Sequence, residues 1–147
     1  MGRSGQLWIG HDYGAVSVLK GGEIRDGSDG GKFGSVAKLV ENNAGGIWVG
    51  SNSASRVSLA LYSDGKWDVG KETWGLPPEH LVDLLETTDG TLWASLERSL
   101  MFLRPGTRQL ESSGQTNQFL ARLAVARNGD LLLVDSHTRP LRRRRHA

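Results

Sequence analysis

Gly45-Gly46-Ile47-Trp48-Val49-Gly50 decides the reading of this chain, because the sequence writes it again on either side at nearly even intervals. Upstream stands Gly5-Gln6-Leu7-Trp8-Ile9-Gly10, and downstream Asp89-Gly90-Thr91-Leu92-Trp93-Ala94. A fourth copy, Asn128-Gly129-Asp130-Leu131-Leu132-Leu133, keeps the glycine, one residue and an apolar pair, but puts Leu132 at the tryptophan position. The steps from Trp8 to Trp48 to Trp93 to Leu132 are 40, 45 and 39 residues. A period of that size, carried by a turn glycine and a short apolar strand, indicates repeated β-sheet blades.

Working outward from Trp48, the second unit is complete. Val36 to Glu41 opens it, Asn43 to Gly46 turns the chain, Ile47 to Ser51 is the signature strand, and Val57 to Tyr62 and Lys66 to Val69 follow. Ser63-Asp64-Gly65 between the last two is a strong hairpin signal. Four antiparallel strands joined by short turns make one meander sheet, a propeller blade in outline. The first unit reads as three strands, Leu7–His11, Ala15–Leu19 and Glu23–Arg25, turning at Gly21-Gly22. The third repeats the plan at Leu81–Glu86, Leu92–Leu96, Leu100–Arg104 and Arg108–Glu111, and the fourth keeps Leu120–Ala126 and Leu131–Asp135. Leucine and glutamate suit a helix over 81–86, but the match in position with Val36–Glu41 favours a strand. Pro77 and Pro78 cannot sit in a central strand, so the extra residues of the long period belong to a connecting loop.

The fold expected is therefore all-β: four-stranded antiparallel blades, about three and a half of them, forming an incomplete β-propeller over 1–136. The units fall at about 5–34, 35–70, 71–116 and 117–136, with a basic, disordered tail at 137–147. Trp8, Trp48 and Trp93, with Gly46, Gly90 and Gly129, are read as structural repeat positions. A tryptophan at one fixed site fills the wedge between blades, removing on the order of 150 to 250 Å² from water, and the glycine after it leaves room for the ring. An open arc of blades leaves two apolar faces uncovered, which drives self-association. Alternatively, Leu120–Ala126 joins the first unit and closes a small ring.

Charge and composition exclude several classes. The formal charge is +2, but Arg142 to Arg145 supply four of the eighteen basic residues, so the body is close to neutral. No aromatic residues are interleaved with that run to stack bases, and no nucleic-acid partner is expected. Without cysteine there is neither a disulfide framework nor a thiolate metal site. The N-terminus has no apolar signal core, and no stretch approaches the ~20 apolar residues of a membrane helix. No glycine motif precedes a helix to cradle phosphate, and no cofactor is expected.

The turn Asp or Asn with Gly, then Leu-Trp-Ile/Val-Gly, and Trp74-Gly75-Leu76-Pro77 before Leu81–Glu86, resembles the two-component regulator propeller repeat. The resemblance covers the chain up to about Ser136. It implies a seven-bladed sensor propeller, often paired, in the periplasmic part of a hybrid histidine kinase, feeding a phosphorelay and binding carbohydrate or another small molecule. This chain departs from the pattern in blade number and in carrying no membrane span and no kinase, so no enzyme is expected here. The streptogramin lyase type of propeller has a similar rhythm and works with a metal and a histidine base; a propeller used only for protein interaction is a further alternative.

Candidate ligand contacts are loop residues: His11, Asp12 and Tyr13 after the first signature strand, Trp74 as a stacking ring, and His80 after the prolines. His11 beside Asp12 has the form of a base with its orienter, although adjacent turn residues more often face solvent. No histidine pair has metal-ligand spacing. Asp135-Ser136-His137 carries the letters of a triad, but neighbours on a strand point to opposite sides. The loop with Asp26, Gly27, Asp29, Gly30 and Gly31 lacks the ligand placement of a calcium loop.

Overall fold

The computed structural model describes residues 5–12, 14–27, 35–52, 59–69, 72–116, 122–134 and 141–143. The chain divides into two compact units, 1–76 and 77–147. The first holds β1 (Leu7–Gly10), β2 (Val16–Lys20) and β3 (Glu23–Asp26) in one sheet, and β4 (Ser35–Glu41), β5 (Ile47–Asn52), β6 (Leu59–Ser63) and β7 (Lys66–Asp68) in another, followed by a 3-10 turn at Glu72–Gly75. The second holds β8 (Leu81–Glu86), β9 (Leu92–Leu96), β10 (Ser99–Leu103) and β11 (Glu111–Thr116) in one sheet, and β12 (Arg122–Val125), β13 (Leu131–Val134) and β14 (Leu141–Arg143) in another. All four sheets are antiparallel and ordered as meanders. They are the blades of an incomplete β-propeller.

The repeated turn explains the repeated glycine. Asn42 to Gly46, Thr87 to Thr91 and Ala126 to Asp130 close by the same pair of bonds: the glycine N–H donates to the first carbonyl at 3.0, 2.9 and 2.9 Å, and the first N–H donates to the last carbonyl at 2.8, 2.9 and 2.8 Å. This is a three-residue loop ending in a left-handed residue, which only glycine adopts without strain. The glycines concerned are Gly45, Gly90 and Gly129, with φ of 88, 87 and 89°. Gly46 therefore does not occupy the turn position equivalent to Gly90. It is buried, and a Cβ there would lie 2.8 Å from the Tyr62 carbonyl oxygen. At the first unit's strand end, a Cβ on Gly10 would collide with Val36 Cγ1; that glycine makes room for the opening strand of the next blade rather than for the tryptophan ring.

In the first unit the core lies between the two blades. Val16 of β2 meets Ile47, Val49 and Ala60, with Trp8, Val36, Leu39, Tyr62 and Trp67 packed around them. In the second unit Trp93, Leu100 and Phe102 meet Leu123, Leu131 and Leu133 of the following blade. Trp8 and Trp93 thus point toward the next blade in their respective units. Trp48 packs edge-on to Trp74, with ring centroids 5.2 Å apart.

Two boundaries moved. The outer strand expected at Arg108–Glu111 lies instead at Glu111–Thr116, because Arg104 to Thr107 form a turn with Thr107 N–H donating to the Arg104 carbonyl at 3.1 Å. Leu141 to Arg143, read as tail, forms β14 beside β13. The segments 117–121, 135–140 and 144–147 lie outside the described residues, as does the hydrolase-like triplet at 135–137.

Candidate functional site

The residues singled out from the sequence do not gather at one place. His11 is half-buried, with Nε2 2.9 Å from the Ser17 hydroxyl, while Asp12 is exposed and Tyr13 lies outside the described residues. The backbone around them is pinned: His11 N–H donates to the Ala15 carbonyl at 2.9 Å, and the His11 carbonyl accepts from Gly14 and Val36, each at 3.2 Å. Trp74 is 2% exposed and fixed against Trp48 in a left-handed conformation, φ 61°. That burial corrects its reading as a stacking platform, since no ring face lies on the surface. His80 is exposed in the second unit, where its carbonyl accepts from Glu97 N–H at 2.9 Å. Its neighbour Glu79 is committed to the same strand end, accepting from Arg98 N–H at 2.7 Å and the Ser99 hydroxyl at 3.0 Å.

A cleft of about 740 Å³ opens in the first unit along the face of the first blade that carries Trp8. Cross-strand register builds it. Trp8 pairs with Val18 and Val18 with Arg25, while Lys20 pairs with Glu23, so these side chains share one face of the sheet. Gln6, Asp26 and Gly27 extend the wall, and Tyr62 closes it from the second blade. Two tight hairpins aim these groups. Gly21 and Gly22, both at positive φ, turn β2 into β3, and Asp64 and Gly65, also both positive, turn β6 into β7. The second hairpin sets Tyr62 opposite Trp67. Trp67 is anchored in turn by its indole N–H, which donates to the Gly27 carbonyl at 3.0 Å.

The wall combines aromatic rings with charged groups. Trp8, Tyr62 and Trp67 form a cluster with centroids 5.0 to 6.2 Å apart, tilted or edge-to-face. Lys20, Glu23, Arg25 and Asp26 are exposed at the mouth. The Arg25–Glu23 ion pair, at 3.1 Å with side chains 77% and 69% exposed, adds little stability at such exposure and leaves both groups accessible. Behind the wall, the Trp8 indole nitrogen is buried without a hydrogen-bond acceptor among the described residues. A smaller recess of about 120 Å³ shares Gln6, Trp8 and Tyr62 and runs to the turn at 44–47. Such a surface offers two half-buried aromatic side chains, Trp8 and Tyr62, beside donors and acceptors of both signs, the mixture by which a small amphipathic ligand is oriented.

None of His11, Asp12, Trp74 and His80 lines this cleft. Of its lining residues the sequence marks Trp8 as a packing residue and Asp26 and Gly27 as part of a loop without calcium-ligand placement, and none as a ligand contact. The signal lies in the spacing of Gln6 and Trp8, Val18 and Lys20, and Glu23 and Arg25 across a two-glycine turn, which sets the strand register. Among the described residues no three His, Asp or Glu side chains converge to hold a metal ion, and no helix is long and apolar enough to cross a membrane.

By its fold the chain is a propeller module. No protein-family model and no curated protein matches its sequence. Solved structures do match. An extracellular domain assigned to a hybrid two-component system (BT3049) of B. thetaiotaomicron superimposes with a TM-score of 0.73 at 17% identity, covering 90% of this chain and 19% of that one. A second such domain from the same organism (BT4673) gives 0.69 at 19% identity, covering 93% and 20%. Catalytically inactive virginiamycin B lyase from Staphylococcus aureus, solved with quinupristin, gives 0.77 at 16% identity, covering 97% of this chain and 50% of the lyase. The chain thus spans about a fifth of these extracellular domains and half of the lyase. At these identities the likeness is one of fold.

Proposed function

We propose that this propeller module is a non-catalytic recognition element, the ligand-sensing part of a two-component signalling protein on the periplasmic or outer side of a membrane, and that its ligand is a carbohydrate or another small polar molecule. The observation that carries the reading is the cleft beside Trp8 and Tyr62. A sugar ring has an apolar C–H face and a rim of hydroxyls; the aromatic rings suit the first, and Lys20, Arg25, Glu23, Asp26 and Gln6 suit the second. The fold shared with extracellular domains of two-component systems supports the cellular setting.

Calorimetric titration with a broad glycan panel tests the proposal. Binding is expected, weakened about tenfold or more by Arg25→Ala or Lys20→Ala, in line with the loss of a charge-assisted hydrogen bond. A panel without any binding glycan counts against sensing of this class. The loop residues His11, Asp12 and Tyr13, with His80, are the other contact set proposed from the sequence, and the same titration separates the two: loss of affinity in His11→Ala but not in Arg25→Ala moves the ligand to the loops.

A second reading, a propeller lyase, draws on the fold match to virginiamycin B lyase and on the partly buried His11 held at Ser17. It requires a metal-dependent turnover abolished by His11→Ala or His80→Ala, whereas a recognition module has no turnover to lose.

A further inference from the structure

The smaller recess of the first unit differs from the cleft beside it in the sign of its chemistry. Gln6, Trp8 and Tyr62 line both, so the two open along one shared wall. The cleft carries charges of both signs, Lys20 and Arg25 against Glu23 and Asp26. Among the described residues, Asp64 alone brings a charge to the recess. Asp64 is exposed, and its carboxylate makes no ion pair or hydrogen bond with any described residue, Lys66 on the same hairpin included.

The turn at 44–46 has used its own donors to close. Gly46 N–H and Ala44 N–H donate to Asn42 Oδ1 at 2.6 and 3.1 Å, and Gly45 N–H donates to the Asn42 carbonyl at 3.0 Å. An N–H committed in this way does not serve a ligand, so Ala44 and Gly45 have their carbonyl oxygens left to offer. Of the remaining polar lining, the Ser63 hydroxyl and the Gln6 amide both donate and accept. The recess is therefore rich in acceptors and negative, which suits a cationic donor. Size narrows the choice further. At about 120 Å³ the recess is slightly smaller than the ~150 Å³ cavity that encloses one benzene, so it holds one ring or a ring substituent. The cleft, at about 740 Å³, has the volume of a site for a whole small ligand.

We propose, resting on the reading of the cleft as a carbohydrate site, that the recess is its second subsite and takes a protonated amine carried by a sugar ring. The ligand is then an oligosaccharide of at least two residues. One lies in the cleft along Trp8 and Tyr62, and the next, an amino sugar with a free ammonium group, reaches Asp64. Gln6 is half-buried on the shared wall and makes no side-chain hydrogen bond among the described residues, so its amide is available where the two sugar residues join. An ammonium brings three donors and a positive charge to a carboxylate and two carbonyls, an advantage that a neutral hydroxyl or acetamido group on the same carbon lacks.

Calorimetric titration of the full chain with three disaccharides tests it: β-1,4-linked glucosamine, its N-acetylated form and cellobiose, which differ only in the substituent at C2. The glucosamine disaccharide is expected to bind about fivefold or more tighter than the other two, and glucosamine alone about tenfold or more weaker than its disaccharide. Asp64 sits at φ 52°, a conformation that asparagine also tolerates, so Asp64→Asn removes the charge and keeps the hairpin. That variant is expected to bring the glucosamine disaccharide down to the affinity of cellobiose and to leave cellobiose itself unchanged. Three disaccharides bound alike, or a preference that persists in Asp64→Asn, overturns the recess assignment and leaves the carbohydrate reading standing. Absence of binding by all three overturns it as well, and the wider glycan panel then separates the two ideas. A panel glycan whose binding is lost in Arg25→Ala keeps the cleft reading, whereas a panel with no binder removes both.

Discussion

Trp93 is 1% exposed, its ring 5.3 Å from that of Phe102 and packed among Leu123, Leu131 and Leu133 of the next blade. Trp93→Ala is expected to lower unfolding free energy by about 3 to 5 kcal/mol, measured by urea denaturation; a loss below about 1 kcal/mol would contradict the wedge packing. Asp83 holds the same pair of blades by polar means. Its buried carboxylate accepts from Leu84 N–H at 2.9 Å and from Leu123 N–H, in the following blade, at 2.8 Å. Asp83→Ala leaves the Leu123 donor without this acceptor and should cost about 1 to 3 kcal/mol, with Asp83→Asn, which keeps an acceptor, losing less in the same measurement. The repeated tryptophans were legible because they recur at one period. Asp83 was not, because a carboxylate within Leu81–Glu86 looks like any polar interruption until the strand forty residues on is placed beside it. The burial of Trp74 was hidden for a related reason: a tryptophan in a Gly-Pro loop has no periodic neighbours to declare its side.

At the level of the strand and turn, glycine conformation sets where a blade's opening strand turns into its signature strand. Gly90→Ala forces a Cβ onto a residue at φ 87° and is expected to destabilise by about 1 to 2 kcal/mol; thermal melting showing no loss would mean that the turn can relax without its left-handed residue. Central strands were readable because they are apolar on both faces: β9 is buried at all five of its residues. Outer strands were less so. β11 reads Glu-Ser-Ser-Gly-Gln-Thr, without any hydrophobic period, and its start is marked by the exposed Arg104–Glu111 ion pair at 3.0 Å instead. β14 begins with a leucine and runs into arginines, the charged composition by which edge strands resist pairing with strangers, and in sequence that is indistinguishable from a tail.

Across the whole molecule, the fold was legible from one hexapeptide and its copies, while the cleft was not, because it arises from the side of the first blade that Trp8 shares with charged neighbours. The tryptophans are also unevenly shared: Trp8, Trp48, Trp67 and Trp74 belong to the first unit, and Trp93 alone to the second. That asymmetry makes the protein its own optical instrument. The near-perpendicular Trp8 and Trp67 rings, 6.2 Å apart, are close enough for their indole transitions to couple, so an ellipticity band near 230 nm reads the docking of the first two blades, and a Trp93→Phe variant subtracts the second unit's emission from the fluorescence of the first.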